Sequence, residues 1–434
     1  MRLILLLLLA AAPAHAQPLE LTLPQAVARA VEHSEDVKIR GEKKDRLTHT
    51  YKKVRAQAYP QVYGSFNWSR YVDKPVQIAD FGLGPQKLEM VREYELRTSA
   101  TATQVLWAFG KVKTAIDIAH QAIGIEGLLH KATVNEIIYA AKQAYLTILL
   151  AQETLRIAEE SHRNAIESQR ALQIRVGQGR ASRVDNIKMA ADVESRVPSK
   201  LEAQSRLDSL SIGFKRLIGA PADAELRLAD ALTEEFPELS RDQLYGKMLD
   251  REPTLRAARR NITLNERILS LRRADYLPTL SAVANYSYYG NGPTRIPERK
   301  WMDPSFLWGL QLSVPLWGGG ARLNAYREAE SDRRVADLEY QKRRLDFAVA
   351  LDTALSEYRS SIGVYRAEQA ARELAEESYQ IVLSSFRAGK ASQALLNDAE
   401  LQLTAAKVRT TQSLFGINLI KARIEKLTTA ENAS

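Results

Sequence analysis

The chain has 434 residues, with 61 Lys and Arg, 52 Asp and Glu, six His and no Cys. The missing cysteines exclude disulfides, thiolate metal sites, cysteine nucleophiles and a lipid-bearing amino-terminal cysteine. The surplus of nine positive charges is interspersed with acids throughout, the pattern of solvated helix faces and not of a nucleic-acid footprint.

The first residues read as a secretory leader spanning 1–16. Arg2 supplies the basic region, Leu3 to Ala12 the apolar run and Ala14-His15-Ala16 the cleavage site, so the mature chain is expected to begin at Gln17. The apolar run is too short to span a bilayer, and no later stretch is long enough to do so as a helix. Insertion into a membrane would need a closed β-barrel.

Beyond the leader, the chain is one unit written twice. Gly179-Arg180-Ala181-Ser182 returns as Gly389-Lys390-Ala391-Ser392, and Leu106-Trp107 with Gly110 returns as Leu316-Trp317 with Gly320. Both pairs stand about 210 residues apart, an internal repeat of long period. Upstream, Gln25 matches Gln243 and Arg55-Ala56 with Pro60 matches Arg273-Ala274 with Pro278, at an offset of about 218. The first copy therefore carries about eight extra residues in its turn-rich interval after Pro60, where insertions are tolerated. The halves are taken as residues 17–225 and 226–434.

Each half reads helix, strand, loop, strand, very long helix, tight turn, returning helix. The opening helix is expected from Leu23 to Tyr59, with Pro24 in its first turn and Pro60 as its stop. Strands are expected near 61–72 and 94–106, and in the second half near 279–289 and 305–316. All four alternate with period two. Val62, Phe66 and Trp68, Leu96 and Leu106, Ala282 and Tyr286, and Trp308, Leu310 and Leu312 stand against Ser, Thr, Asn and Gln neighbours. Such alternation over about ten residues is that of an outer-membrane barrel strand, although a half-buried soluble sheet alternates too. Four strands cannot close a barrel and sheet edges cannot face lipid, so the reading requires two or three copies. Asp73–Arg92 and Gly290–Pro304 read as exposed turns.

The long helices come after Gly110 and Gly320, run without proline to Val176 and Ala388, and would each extend roughly 100 Å. In the second, Leu345, Ala348, Leu351, Leu355, Tyr358, Ile362 and Tyr365 step by three and four, as in a coiled coil. The hairpin tips fall near 177–182 and 388–392. Gly179 and Gly389 suit helix stops, and Ser182 and Ser392 suit N-caps. Asp185 stands three residues after Ser182; Leu395 takes that place in the second copy, with Asp398 one turn later. Pro198 is expected to kink the first returning helix.

No enzyme is read here. Trp317-Gly318-Gly319-Gly320 lacks the Lys-Ser/Thr of a phosphate loop, and Ser, His and Asp form no local catalytic signature. The scattered histidines form no ligand pair. No metal and no cofactor is expected.

In order along the chain, the Leu21-Thr22-Leu23 opening, Tyr59-Pro60 and Leu277-Pro278 before strands, the long helices and the Gly-x-x-Ser tips resemble the TolC-like outer-membrane efflux proteins. The resemblance implies an α+β membrane protein, a homotrimer whose twelve-stranded β-barrel continues into a periplasmic α-helical barrel. It implies an exit duct in the outer membrane, in contact with its lipid, served by a periplasmic adaptor protein and an inner-membrane efflux pump or ABC exporter. By the same resemblance Gly179, Arg180, Ser182, Gly389, Lys390 and Ser392 contact the adaptor, and Asp185, Leu395 and Asp398 line the periplasmic aperture. A periplasmic coiled-coil scaffold without transport activity is the alternative.

Overall fold

The computed structural model describes residues 19–80, 82 and 84–428; the expected leader and the start at Gln17 lie outside them. In chain order the elements are β1 (Leu19–Leu21), α1 (Leu23–His33), α2 (Glu35–Ala56), β2 (Gln61–Arg70), β3 (Val76–Asp80), β4 (Pro85–Glu89), β5 (Tyr94–Trp107), α3 (Lys111–Gly177), α4 (Arg183–Leu217), β6 (Leu226–Leu228), α5 (Arg241–Arg251), α6 (Pro253–Ala274), β7 (Thr279–Gly292), β8 (Met302–Ser313), α7 (Ala321–Arg387) and α8 (Gln393–Thr428). The chain divides into two compact units, and each draws on both sequence halves.

The first unit comprises the residues up to Gly41, Leu128–Arg256 and those from Lys342 onward. The opening helix is not continuous as expected. Ser34 turns extended (φ −61°, ψ 119°) between α1 and α2. Its hydroxyl accepts from the Val37 N–H at 3.4 Å, and Glu35 and Asp36 stand in the first turn of α2. A capping Ser before two acids is itself a helix start. The second half breaks at Glu252 (φ −62°, ψ 118°) between α5 and α6, where the carboxylate accepts from the Leu255 N–H at 2.8 Å. Ser34 and Glu252 obey the same offset as Gln25 and Gln243.

Sequence reading also missed β1 and β6, which pair parallel. Tyr145, fully buried, holds that pair. Its hydroxyl donates to the Leu21 carbonyl at 3.0 Å and contacts the Asp230 carboxylate at 3.0 Å. Asp230 also accepts from the Leu23 N–H at 2.6 Å. Burial and the neighbouring Asp230 carboxylate push the Tyr145 phenol up to about 12, so it remains a donor. Around it pack Ala26, Ala30, Ile148, Phe214 and Ile218. α4 runs through Pro198 as one continuous helix.

On α7, Leu351, Leu355, Tyr358 and Tyr365 are buried as the three-four stepping predicts, whereas Leu345 is not. At 100° per residue, Leu345, Val349, Leu374 and Ile381 fall together on the face opposite the buried one, with Val364 at its flank. They are 51–68% exposed, so this helix has two apolar faces and its own chain covers one.

The second unit comprises Glu42–Gly127 and Ala257–Gln341. Its centre is a four-stranded antiparallel sheet in the order β2-β5-β7-β8. β8 begins and ends earlier than expected: Pro315 has no N–H to offer a ladder, and the chain from Met302 already pairs with β7. The interval Asp73–Arg92 is not all turn, because β3 and β4 form a hairpin within it.

Candidate conduit wall and hairpin tips

Pairing in the sheet joins even-numbered residues to even and odd to odd through most of its length. Strand side chains alternate, so parity sorts them onto two faces. The even face carries Val62, Phe66, Phe306, Trp308, Leu310 and Leu312, which are 64–72% exposed. The odd face carries Ser65, Ser99, Ser287 and Ser305 in one cross-strand row, with Ser65 and Ser99 hydroxyls 2.8 Å apart. In the next row, the Asn285 amide donates to Thr101 at 2.7 Å. Phe66, Leu96, Ala284 and Leu310 thus share one face, and Ser65, Thr101, Asn285 and Gln311 share the other.

Two details depart from simple alternation. A bulge between Val105 and Trp107 gives Leu106 no register partner and sets Trp107 opposite Leu280. An extra residue shifts parity, so Trp107 and not Leu106 continues the apolar row. Leu96 is only 8% exposed on a face whose other large apolar side chains are largely bare, because the segment before β8 folds over this end of the sheet. Pro297 lies where side chains on Gly290 and Gly292 would stand, and the Trp68 indole donates to the Arg295 carbonyl at 2.6 Å.

The tips are two copies of one capping device. Gly179 has φ +67° and Gly389 φ +75°, a conformation that glycine adopts without penalty. Gly179 N–H reaches the Val176 carbonyl at 2.9 Å and Arg180 N–H the Arg175 carbonyl at 2.8 Å; Gly389 with Phe386 and Lys390 with Ser385 repeat both distances. This paired closure satisfies the last helical carbonyls. Ser182 then accepts from the Val184 N–H at 3.1 Å and Ser392 from the Leu395 N–H at 3.3 Å. Capping accounts for the glycines and serines. The side chains of Arg180 and Lys390 are exposed, Asp185 is half-buried in the first turn of α4, and Leu395 and Asp398 are exposed on α8. Asp398 accepts from Gln402 at 2.9 Å. Arg175 ties the tips together by donating to the Phe386 carbonyl at 2.9 Å.

Further from the tips lies a polar cluster that sequence reading did not find. Arg196, 7% exposed, and Glu400, 3% exposed, form an ion pair at 3.1 Å. Arg196 also donates to Asp192 at 3.0 Å, to Ser161 at 2.5 Å and to Asn397 at 2.9 Å, joining α3 and α4 to α8. Oε1 of Glu400 is out of line for a hydrogen bond. Burial, opposed by Arg196 and reinforced by Asp192, pushes the Glu400 carboxyl up to about 7. Nearby, Lys407 bonds Glu160 at 2.8 Å and holds that carboxyl below its ordinary value despite partial burial. The i, i+4 spacing of Asp192 and Arg196 was a readable sign of a pair; its burial was not. Among the described residues, no group of three or more His, Asp and Glu could hold a metal ion, and no helix is long and apolar enough to cross a membrane.

The chain resembles known proteins in sequence and in fold. Residues 244–414 match the family model of the outer membrane efflux proteins. The alkaline protease secretion protein AprF of Pseudomonas aeruginosa is 28% identical over 202 residues, 45% of this chain and 41% of that protein. The proteases secretion protein PrtF of Dickeya chrysanthemi is 24% identical over 284 residues, 62% of this chain and 61% of that protein. The matches thus span less than two thirds of either relative's length. Among solved structures, the CmeC outer membrane channel of Campylobacter jejuni superposes with a TM-score of 0.78 at 15% identity, covering 94% of this chain and 85% of that one. The chain is TolC-like in fold, and the greater part of its second half matches the outer membrane efflux family in sequence.

Proposed function

We propose that this chain is one protomer of a homotrimeric exit duct in the outer membrane, reaching into the periplasm and passing cargo from an inner-membrane pump and its periplasmic adaptor to the exterior. The carrying observation is the four-stranded sheet, apolar on one face, mainly polar on the other apart from Tyr63 and Leu307, and unpaired at both edges among the described residues. Such a face fits lipid, and such edges are tolerated there only when another copy pairs with them. Two copies would close eight strands, a barrel whose interior side chains fill. Three close twelve and leave a lumen, which a duct requires. The uncovered face of α7 supports further contact between copies. A lone periplasmic scaffold would leave both the sheet and that helix face in water.

On this reading each half, 17–225 and 226–434, contributes two strands and one hairpin. Arg180 and Lys390, presented by the caps at Gly179, Ser182, Gly389 and Ser392, meet the adaptor, while Asp185, Leu395 and Asp398 line the aperture. AprF and PrtF are both protease secretion proteins by name, which favours a polypeptide cargo and an ABC exporter as the pump. The test is native mass measurement of the protein extracted from outer membranes, with crosslinking and pull-down from the same cells. A trimer with an adaptor and exporter is the expected result. A stable monomer with full strand content, or recovery without membrane, refutes the reading.

A further inference from the structure

The segment between β7 and β8 has a composition and position that the duct itself does not require. Residues 293–301 fold onto the even face of the sheet, the face assigned above to lipid, at the end where Leu96 and Trp68 lie. Three contacts fix the fold-over. Pro297 is buried against Gly290 and Gly292, where a Cβ would come within 3.1–3.3 Å of it. Trp68 holds the Arg295 carbonyl. Arg92 stacks on Trp301, its guanidinium carbon 3.4 Å from the ring centroid, and its backbone N–H reaches the Asn291 side chain at 2.5 Å. With the backbone pinned, the segment presents Ile296 at 73% exposure between the exposed cations Arg295, Arg299 and Lys300. Lys300 pairs with Glu298 at 2.7 Å. Arg295 and Arg299 make no ion pair among the described residues.

We infer that this folded-over segment is a binding site for anionic lipid headgroups that carry a phosphomonoester, with Ile296 set into the acyl boundary and Arg295, Arg299 and Arg92 around the phosphate. Charge and place argue together. A loop serving only as a lid would cross the polar face, whereas this one lies on the apolar face, beside the sheet's exposed aromatics. Aromatic residues gather where a bilayer meets water, and guanidinium groups match phosphate oxygens in bidentate fashion. An exposed apolar side chain flanked by cations is favourable at an anionic lipid surface and unfavourable in open water.

The inference rests on the proposed membrane barrel, and its test separates the two. The full chain, extracted as the assembled protein, is placed in phosphatidylcholine nanodiscs with or without a minority of phosphatidic acid, and retained lipid is read by native mass spectrometry. The assembly should retain phosphatidic acid, and Arg295→Gln/Arg299→Gln should weaken retention by roughly fivefold for each charge removed. Arg295→Lys/Arg299→Lys should keep most of it, and millimolar inorganic phosphate should not displace the lipid. Equal retention by the Gln variant, or displacement by free phosphate, overturns the site while trimer mass and insertion stay intact. Failure of every variant and the parent to enter nanodiscs would overturn the barrel reading, and this inference with it.

Discussion

Glu400 offers a quantitative test of how the two hairpins are held together. Its carboxyl is raised from an ordinary value of 4.5 to about 7, so the folded state binds its proton more tightly than the unfolded chain does. Stability from this group is therefore full below about pH 4.5 and lost as pH rises through about 7. At 1.36 kcal/mol per pH unit the shift corresponds to about 3 kcal/mol, an upper figure because buried pairs relax. Glu→Gln at this position removes the ionisation and leaves a carbonyl for Arg196. Glu400→Gln should accordingly slow local opening at about pH 8 by one to two decades and change little at about pH 5. Arg196→Met does the reverse. It strands Glu400 and Asp192 without their cation, a loss of about 3–5 kcal/mol for a broken buried pair, and low pH should relieve it. Hydrogen exchange of the α8 amides around Glu400 is the assay, because opening is local and a multi-element assembly does not unfold in two states. Glu160 has the opposite linkage: Lys407 lowers its carboxyl, so its contribution exists above the unfolded value and fades as pH falls. The difference between Glu400→Gln and parent cancels that background. Identical protection of the two at both pH values would refute the claim that Glu400 is held as a strained ion.

The sheet faces make a paired prediction: Leu310→Arg should cost roughly 2–4 kcal/mol if the residue lies near the bilayer midplane, whereas Gln311→Arg on the opposite face should be mild. Comparable assembly of both variants, read as trimer yield from membranes, would mean that the faces are exchanged. At the tips, Gly179→Ala and Gly389→Ala should each destabilise their turn by about 1–2 kcal/mol through the positive φ. The second should be worse, since its Cβ would stand 3.1 Å from Arg175; limited proteolysis at the tips reads this. Planar-bilayer recordings of Asp185→Ala and Asp398→Ala should show reduced cation preference, additive in the double variant. Unchanged selectivity in all three would leave Asp185 as a helix-dipole residue and nothing more.

Elements that depend on local pattern were legible in the sequence. Period two marked the strands because each has one apolar face. The helices α3 and α7 were legible because no proline or capping residue interrupts them, and the tips because Gly and Ser at fixed spacing have few other uses. What escaped depended on distant partners. β1 is three residues long and becomes a strand only because Leu226–Leu228 lies beside it. Leu96 reads as a lipid-facing residue until the segment around Pro297, far along the chain, folds over its end of the sheet. Glu400 looks like any helix-surface acid, and nothing near it in sequence indicates that Arg196 and Asp192 enclose it. Ser34 was a readable miss, since Ser-Glu-Asp is a helix start placed inside an apparent helix.

The strands and α7 constrain assembly in different ways. Because β2 and β8 run in opposite directions across an antiparallel sheet of four, joining β8 of one copy to β2 of the next is antiparallel for any number of copies. The ladder therefore enforces closure without choosing how many copies close. The exposed stripe of α7 adds a second demand. Burying Leu345, Val349, Val364, Leu374 and Ile381 at about 2 kcal/mol each would contribute on the order of 10 kcal/mol per protomer, an upper estimate from apolar area. A junction of about ten backbone hydrogen bonds at about 1 kcal/mol each contributes a comparable amount. Neither set dominates, so the copy number must be one at which both the sheet and the helix face are satisfied together. Leu310→Arg, which leaves α7 untouched, should therefore block insertion into lipid while the helices still associate.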